Sequence, residues 1–287
     1  MDRDLVRKLI GSQFPQWAHL AVTPVPVGGW DHRSFRLGDT MVVRLPSAAA
    51  YAAQVAKEQR WLPTLAPSLP LAIPEPLALG TPGEGYPFPW SVYRWLEGET
   101  AAPANVRDPQ GFAAALARFL GALQRIDPHG GPSPGTHNFH RGGALATYDA
   151  ETREAIRRLS ASIDARAATN LWDAALRTTW QRDPMWVHGD VSAGNLLVRD
   201  GELAAVIDFG LLAVGDPACD LAMAWTFMDP GSRAVFRSGL QPDPDTWLRG
   251  RAWALWKAAI VTAGMVDTHA VEKAHARRTL EAALPRD

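Results

Sequence analysis

Two carboxylates and an amide in the C-terminal half of the chain carry its strongest chemical signal. Asp190 and Asn195 stand in the spacing D-x-x-x-x-N, and Asp208 follows eighteen residues after Asp190 in the run Asp-Phe-Gly. A carboxylate can accept the proton of an attacking hydroxyl, while a second carboxylate and an amide oxygen are hard ligands of the kind that Mg²⁺ prefers. This order and spacing indicate transfer of a phosphoryl group from a nucleotide to an alcohol.

Short strands are predicted to position these three residues. An apolar strand from Met185 leads into His188-Gly189-Asp190, and strands are predicted over 195–198 and 203–207. Between the last two strands stands Asp-Gly, a dipeptide typical of a type I′ hairpin turn. Such a hairpin brings Asn195 and Asp208 to the same end of a ribbon. We therefore predict that Asp190 is the catalytic base and that Asn195 and Asp208 are metal ligands.

Two further polar residues near this hairpin are predicted to be structural. His188 is expected to bond the backbone of the loop that carries Asp190. Asp220 is expected to accept backbone N–H groups of the same loop from the start of a helix, because carboxylates commonly satisfy amide groups in this way. Cys219 is expected to be a small buried packing residue.

The rest of the chain changes from strands to helices along its length. Strands are predicted within residues 20–45 and over 89–96, and a helix capped by Ser47 is expected to run to about Trp61, with Glu58 on an otherwise apolar face. Helices are predicted over 110–126, 149–168 and 170–182, and again from Ala218 onward. The pattern predicts an α+β fold of two lobes, a β-rich N-lobe at 1–97 and a mostly helical C-lobe at 98–287.

Composition narrows the classes of partner. The chain has 287 residues, 47% of them hydrophobic, which suits two lobes rather than one small core. Its net charge is −1 and its basic residues are scattered, so we expect no nucleic-acid partner. No long apolar run or cleavable leader is apparent, so we expect no membrane contact. The single cysteine excludes an intrachain disulfide and favours the cytoplasm; the oligomeric state stays open.

Three motifs in the C-terminal half resemble the aminoglycoside phosphotransferase family, which comprises small-molecule kinases with a protein-kinase-like fold. They are His188-Gly189-Asp190-x-x-x-x-Asn195, Ile207-Asp208-Phe209-Gly210 and Gly215-Asp216-Pro217-x-x-Asp220-Leu221-Ala222. Four N-terminal segments are similar to the family in the right order: Gly28-Gly29-Trp30, Val43-Arg44-Leu45-Pro46, Glu58-x-x-Trp61-Leu62 and Trp95-Leu96-Glu97-Gly98. The resemblance covers roughly residues 20 to 230.

The resemblance implies a nucleotide, ATP with GTP as the alternative, bound with Mg²⁺ between the lobes. It implies that a turn from Gly28 and Gly29 to Ser34 covers the phosphates. It also implies that Arg44, in the place where Lys is common, pairs with Glu58. The adenine is expected to meet backbone groups of the strand that ends in Tyr93, Arg94, Trp95 and Leu96.

Among enzymes with a protein-kinase-like fold, a protein kinase itself is the less favoured prediction. Gly189 replaces the arginine of regulated protein kinases, and no Ala-Pro-Glu or long activation segment follows Asp208. A nucleotide-binding module without catalysis is disfavoured because Asp190, Asn195 and Asp208 are all present. We therefore expect a small hydroxylated molecule as the acceptor.

The identity of that acceptor stays open between two classes. An aminoglycoside-like antibiotic is the first expectation, and a macrolide, sugar, amino alcohol or amino acid is the alternative. Five C-terminal acids form either a wall for a polycation or a solvated helix surface, namely Asp229, Asp243, Asp245, Asp267 and Glu272. A macrolide would instead use the apolar helix around Trp253 and Trp256.

Overall fold

An antiparallel sheet forms the first third of the protein in the computed structural model, which describes residues 1–25, 31–266, 268 and 270–284. Its strands are β1 (Val22–Pro24), β2 (His32–Leu37), β3 (Met41–Pro46), β4 (Pro76–Gly80) and β5 (Trp90–Arg94). They are hydrogen-bonded in the order β1-β2-β3-β5-β4. Helix α1 (Arg3–Gln13) precedes the sheet, and its buried residues Val6, Leu9 and Ile10 pack on the same apolar core.

The helix α2 (Ala49–Leu65) lies between β3 and β4, and both of its predicted ends were wrong. Its N-cap is Ala48, which provides no side-chain hydrogen bond, so Ser47 is not the cap. The helix also continues past Trp61 with Pro63 inside it. An interior proline costs about 3 kcal/mol, but Leu62 and Leu65 are both fully buried, and each contributes roughly 1.5–3 kcal/mol. Core packing therefore outweighs the proline.

Helices dominate the remainder of the described chain. They are α3 (Pro109–Arg125), α4 (Asp149–Arg158), α5 (Ala165–Leu176), α6 (Met223–Thr226), α7 (Pro230–Leu240), α8 (Pro244–Thr262) and α9 (Ala270–Ala283). The boundaries predicted at 149–168 and 170–182 were wrong. The break falls at residues 159–164, because Asp164 accepts the N–H of Ala167 at 2.8 Å and starts a new helix.

Two small ribbons are packed among these helices. Their strands are β6 (Glu99–Thr100), β7 (Met185–Val187), β8 (Leu196–Arg199), β9 (Glu202–Val206) and β10 (Ala213–Gly215). The first ribbon has the order β6-β8-β9 and the second pairs β10 with β7. The side chains of Leu196, Val206 and Trp186 are buried in the same core as α3, so the helices fix the ends of both ribbons.

The predicted fold class, a β-rich N-lobe followed by a mostly helical C-lobe, is confirmed. The sheet ends with β5 at Arg94, and β6 already pairs with β8 of the C-lobe. A lobe boundary at 97/98 agrees with this change of partner but stays a prediction. Among the described residues, no helix combines the length and apolar character needed to cross a membrane.

Candidate active site

The β8–β9 hairpin brings Asn195 and Asp208 to one end of its ribbon, as the sequence predicts. Leu196 pairs with Val206, and the N–H of Ile207 donates to the carbonyl of Asn195 at 2.9 Å. At the opposite end Asp200 and Gly201 have φ values of 54° and 81°, the left-handed pair that a type I′ turn requires. The turn chemistry therefore determines which polar residues meet at the other end.

Asp190 is held between Asn195 and a lysine that the sequence analysis missed. The Nδ2 of Asn195 donates to the Asp190 carbonyl at 2.9 Å and to its Oδ2 at 3.0 Å. The Nζ of Lys257, on α8, lies 3.2 Å from the Oδ1. Because the Asn195 amide nitrogen is committed in this way, its Oδ1 is the atom left to accept a cation, and it fits a hard oxygen-ligated ion such as Mg²⁺.

The charge state of Asp190 follows from its neighbours. Burial acts to raise the pKa of Asp190, but the cationic side chains of Lys257 and Arg141 outweigh it and hold the pKa below its usual value of 3.8. The carboxylate is therefore ionised at neutral pH and available to accept a proton. Arg141 comes from the long loop between α3 and α4.

Asp220 fixes the loop that carries Asp190, the predicted base, as expected from the sequence. Its Oδ2 accepts the N–H of His188 and its Oδ1 accepts the N–H of Gly189, each at 2.8 Å. Burial raises the pKa of Asp220. Gly189 has φ +84°, and a Cβ there would lie 2.4 Å from the carbonyl oxygen of Leu211, so the loop requires glycine. His188 has the predicted structural contact, because its Nδ1 accepts the N–H of Asp190 at 3.2 Å, and its Nε2 also lies 3.1 Å from the Ile207 carbonyl.

A buried ion pair supports the turn that ends at Asp220. Asp216 caps this turn by accepting the N–H of Ala218 at 3.0 Å. The guanidinium of Arg249, on α8, approaches the two Asp216 oxygens at 2.7 and 3.3 Å, and only 3% of Arg249 is exposed. Asp216 stands in one of the sequence motifs, whereas Arg249 could not be identified from the sequence, because nothing local links two residues 33 positions apart.

Arg44 connects the N-lobe to the catalytic hairpin. Its Nη1 lies 3.3 Å from the Oε1 of Glu58, the partner expected from the sequence, and its Nη2 lies 2.9 Å from the Oδ1 of Asp208. Glu58 is 1% exposed and has a second partner, the hydroxyl of Tyr93, which donates to Oε2 at 2.6 Å. A cation is thus fixed beside the carboxylate that is predicted to bind metal.

Asp31 and His32 extend this charged cluster and were missed from the sequence. The His32 Nδ1 lies 3.6 Å from Asp31 Oδ2 and 3.4 Å from Arg44 Nη2. Ligand atoms of Asp31, His32 and Asp208 lie within 4.8 Å of one another. The position of His32 could have indicated its role, because His32 begins β2, and β2 pairs with β3, the strand that contains Arg44.

The residues predicted to contact the nucleotide differ in secondary structure and in burial. Gly28 and Gly29 fall outside the described residues. Ser34 lies inside β2, opposite Arg44, so the turn predicted to extend to Ser34 must end before His32. Tyr93 is buried in β5 and bonds Glu58 through its side chain, whereas Arg94 is exposed and pairs with Glu75 at 2.5 Å.

Trp95 and Leu96 follow β5 outside regular structure and are both half-buried. The N–H of Trp95 donates to the carbonyl of Thr40 at 2.8 Å, and the guanidinium of Arg36 lies 4.4 Å from the centre of the Trp95 ring. The assignment of an adenine-contacting role to this segment stays a prediction.

A cavity of about 690 Å³ opens beside the catalytic loop. Ala193, between Asp190 and Asn195 in sequence, forms part of its wall, together with residues of α3, α6 and α9. Its large apolar side chains are Val106, Phe112, Trp225, Phe227 and Met228. A volume of this size suits a small molecule.

The predicted acidic residues do not form a wall in this cavity. Of the five, Asp229 alone lines it within the described residues, and its Oδ1 is occupied by the N–H groups of Gly231 and Ser232 at 2.8 and 3.0 Å. Asp243 caps α8 in the same manner. Glu272 is exposed and Asp267 lies outside the described residues. The alternative, a solvated helix surface, describes the exposed Glu272 better, whereas Asp229 and Asp243 have the different role of helix caps.

The tryptophans predicted for an apolar acceptor pocket have a different role. Trp253 and Trp256 are 3% and 6% exposed, and they pack around Tyr148 and the guanidinium of Arg141. They therefore hold Arg141 near Asp190 rather than line the cavity. Among the described residues, Trp225 is the tryptophan that lines it.

Known proteins share both the sequence pattern and the fold. The profile of the phosphotransferase enzyme family matches residues 22–253. An aminoglycoside 3'-phosphotransferase of Escherichia coli is 33% identical over 84 residues, which are 27% of this chain and 31% of that relative's length. The matched stretch therefore spans about a third of the relative.

Solved structures cover nearly the whole chain. The GDP and kanamycin complex of APH(2")-IIia is similar with a TM-score of 0.73 and 19% identity, covering 97% of this chain and 96% of that one. The macrolide 2'-phosphotransferase MphH from Brachybacterium faecium gives a TM-score of 0.62 and 22% identity, covering 100% and 99%. At these identities the likeness establishes the fold. Since the profile extends over most of the length and includes every motif of the hairpin, this chain belongs to the phosphotransferase enzyme family.

Proposed function

We propose that this protein transfers the γ-phosphoryl group of ATP to a hydroxyl of a small molecule. The observation that carries the proposal is the convergence of Asp190, Asn195 and Asp208 at one end of the β8–β9 hairpin, with Arg44 paired to Asp208 at 2.9 Å. Phosphoryl transfer needs in-line placement and compensated charge more than covalent participation of the protein. These four residues provide a base, two oxygen ligands and a phosphate-binding cation.

Asp190 would orient the acceptor hydroxyl and accept its proton. Its carboxylate is ionised and is held from both sides, by the Asn195 amide and the Lys257 ammonium. The acceptor oxygen would then attack the γ-phosphorus while the bond to the β-phosphate oxygen breaks, and the proton remains on the Asp190 carboxyl. A fixed, ionised base on a backbone loop that Asp220 holds in place reduces the reorganisation that this step requires.

Asn195 and Asp208 would hold Mg²⁺, which neutralises phosphate charge when it is bound. Arg44 would turn from Asp208 towards the phosphates while Glu58 keeps its orientation. A planar guanidinium can bond a carboxylate and a phosphate at once. ATP is the proposed donor, with GTP as the alternative. The single buried cysteine agrees with a reducing cytoplasm as the location.

Two observations bear on the acceptor class. The matched relative is named for aminoglycosides, which supports an amine-rich antibiotic by analogy. The cavity beside Ala193 has a largely apolar wall, which supports the alternative of an acceptor with an apolar body, such as a macrolide. The second observation concerns this chain's own side chains and therefore has more weight.

An ATP-consumption assay with purified protein against aminoglycosides, macrolides and simple sugars tests the proposal. We expect MgATP turnover that depends on one acceptor class. Asp190→Asn should remove most of kcat while MgATP affinity stays near that of the parent, because the carboxylate acts on the acceptor and does not hold the nucleotide. Near-normal turnover in that variant would exclude Asp190 as the base.

A further inference from the structure

The cavity beside the catalytic loop has a positively charged side. His275 and Arg278, one turn apart on α9, both line it. The only carboxylate among its described lining residues is Asp229, which is committed to the N-terminus of α7. The described lining thus contains one permanent cation, Arg278, and an imidazole, with no free carboxylate beside them.

The charge on this side of the cavity belongs to Arg278. Within the described chain, no carboxylate lies within salt-bridge distance of His275 or Arg278. Burial lowers the pKa of His275, and the cations of Arg278 and Lys257 lower it further, while Glu272 opposes them. The imidazole of His275 is therefore neutral at neutral pH and can take part in a hydrogen bond, whereas the guanidinium of Arg278 is a cation that favours an anion.

Another part of the cavity lining is apolar and aromatic. Phe112, Trp225 and Phe227 are contributed by α3 and by the segment around α6, and they face a space large enough for a ring or a branched chain. A polycation would find no free carboxylate here and would meet two basic side chains on α9.

We infer that this cavity takes an acceptor with an apolar body and a negatively charged group, a carboxylate or a phosphate, that faces His275 and Arg278. The inference rests on the proposed phosphotransferase function for the identity of the site, and it adds the chemical class of the substrate. The acceptor's hydroxyl points towards Asp190, past Ala193, while its anionic group is held by α9.

Binding of three matched probes to the full-length protein tests this inference. Phenylbutyrate, phenylbutanol and phenylbutylamine share one apolar body and differ in charge, and ligand-observed NMR titration gives their affinities without nucleotide. We expect phenylbutyrate to bind most tightly and phenylbutylamine least. Raising the NaCl concentration should weaken phenylbutyrate alone, because exposed ion pairs are screened by salt.

The neighbouring arginines of α9 provide a matched pair of variants. Arg277 and Arg278 are both exposed, but only Arg278 lines the cavity. Arg278→Gln should weaken phenylbutyrate by roughly two- to fivefold and leave phenylbutanol unchanged, as expected for loss of one partly exposed charge. Arg277→Gln should leave both affinities at the parent value.

Three results would overturn the inference. They are equal or tighter binding of phenylbutylamine, equal losses in Arg277→Gln and Arg278→Gln, and no binding of any probe. Failure of the proposed reaction is a separate outcome, since it would be seen as absent ATP consumption with every acceptor while the probe affinities persist. Conversely, efficient phosphorylation of an amine-rich acceptor would contradict the inference and leave the phosphotransferase function intact.

Discussion

Replacing Lys257 with methionine should shift the pH dependence of catalysis. The Lys257 ammonium lies 3.2 Å from one oxygen of Asp190 and, with other cations, holds the carboxyl's pKa below its usual value. Without that ammonium, burial acts with less opposition and the pKa of Asp190 rises. The acid limb of kcat/KM, where the base becomes protonated, should therefore move to higher pH.

The size of this effect follows from distance and exposure. Two unit charges 3.2 Å apart attract by about 1.3 kcal/mol in water. Lys257 and Asp190 side chains are 44% and 30% exposed, so part of this energy is screened. Measured exposed pairs contribute about 0.2–1 kcal/mol. We expect a change near the upper end of that range, about fivefold in the protonation equilibrium.

Steady-state kinetics from acidic to neutral pH would measure the shift. Lys257→Arg retains the charge and should keep the acid limb near that of the parent, so it separates charge from packing. At high NaCl concentration the difference between the parent and Lys257→Met should shrink. An acid limb in Lys257→Met that superimposes on the parent's would refute the role of this ion pair.

Four further substitutions test the charged framework. Asp208→Ala should abolish Mg²⁺-dependent nucleotide binding as measured by calorimetry, while Asn195→Ala should weaken it less because a neutral ligand is lost; MgATP binding at parental affinity in Asp208→Ala would move the metal role to another residue. Glu58→Ala should raise the KM for ATP more than it lowers kcat, because Arg44 loses its orienting partner, and an unchanged KM would contradict this. Arg249→Leu should lower the free energy of unfolding in urea by about 3–5 kcal/mol, since it leaves a buried carboxylate unpaired; a loss below about 1 kcal/mol would show that the pair is not a stabilising contact.

Contacts within the hairpin could be predicted from sequence because they are local. Asn195 and Asp208 are joined by a short ribbon whose turn has an unambiguous Asp-Gly signature, so their meeting needs no knowledge of the rest of the fold. The pairing of Arg44 with Glu58 was predictable in the same way, since a glutamate on an apolar helix face requires a partner from the adjacent strand.

Contacts made by α8 and α9 could not be predicted in this manner. Lys257 is 67 positions from Asp190, and the helix that carries it has an apolar composition in which one lysine has no distinguishing spacing. The direction in which it points depends on how α8 packs against the turn at 217–222. The end of α2 shows a similar limit. The sequence prediction ended this helix before Pro63, but burial of Leu62 and Leu65 extends it through the proline.

The segment between Asp208 and Asp220 has a consequence for how a cell would control this protein. A short helical turn, β10 and a second turn occupy it completely, and β10 is paired with β7 beneath the base. Its sequence contains no serine, threonine or tyrosine. Phosphorylation of a hydroxyl side chain therefore has no acceptor in this segment. A cell could not change the arrangement next to Asp208 by adding a phosphate to these eleven residues.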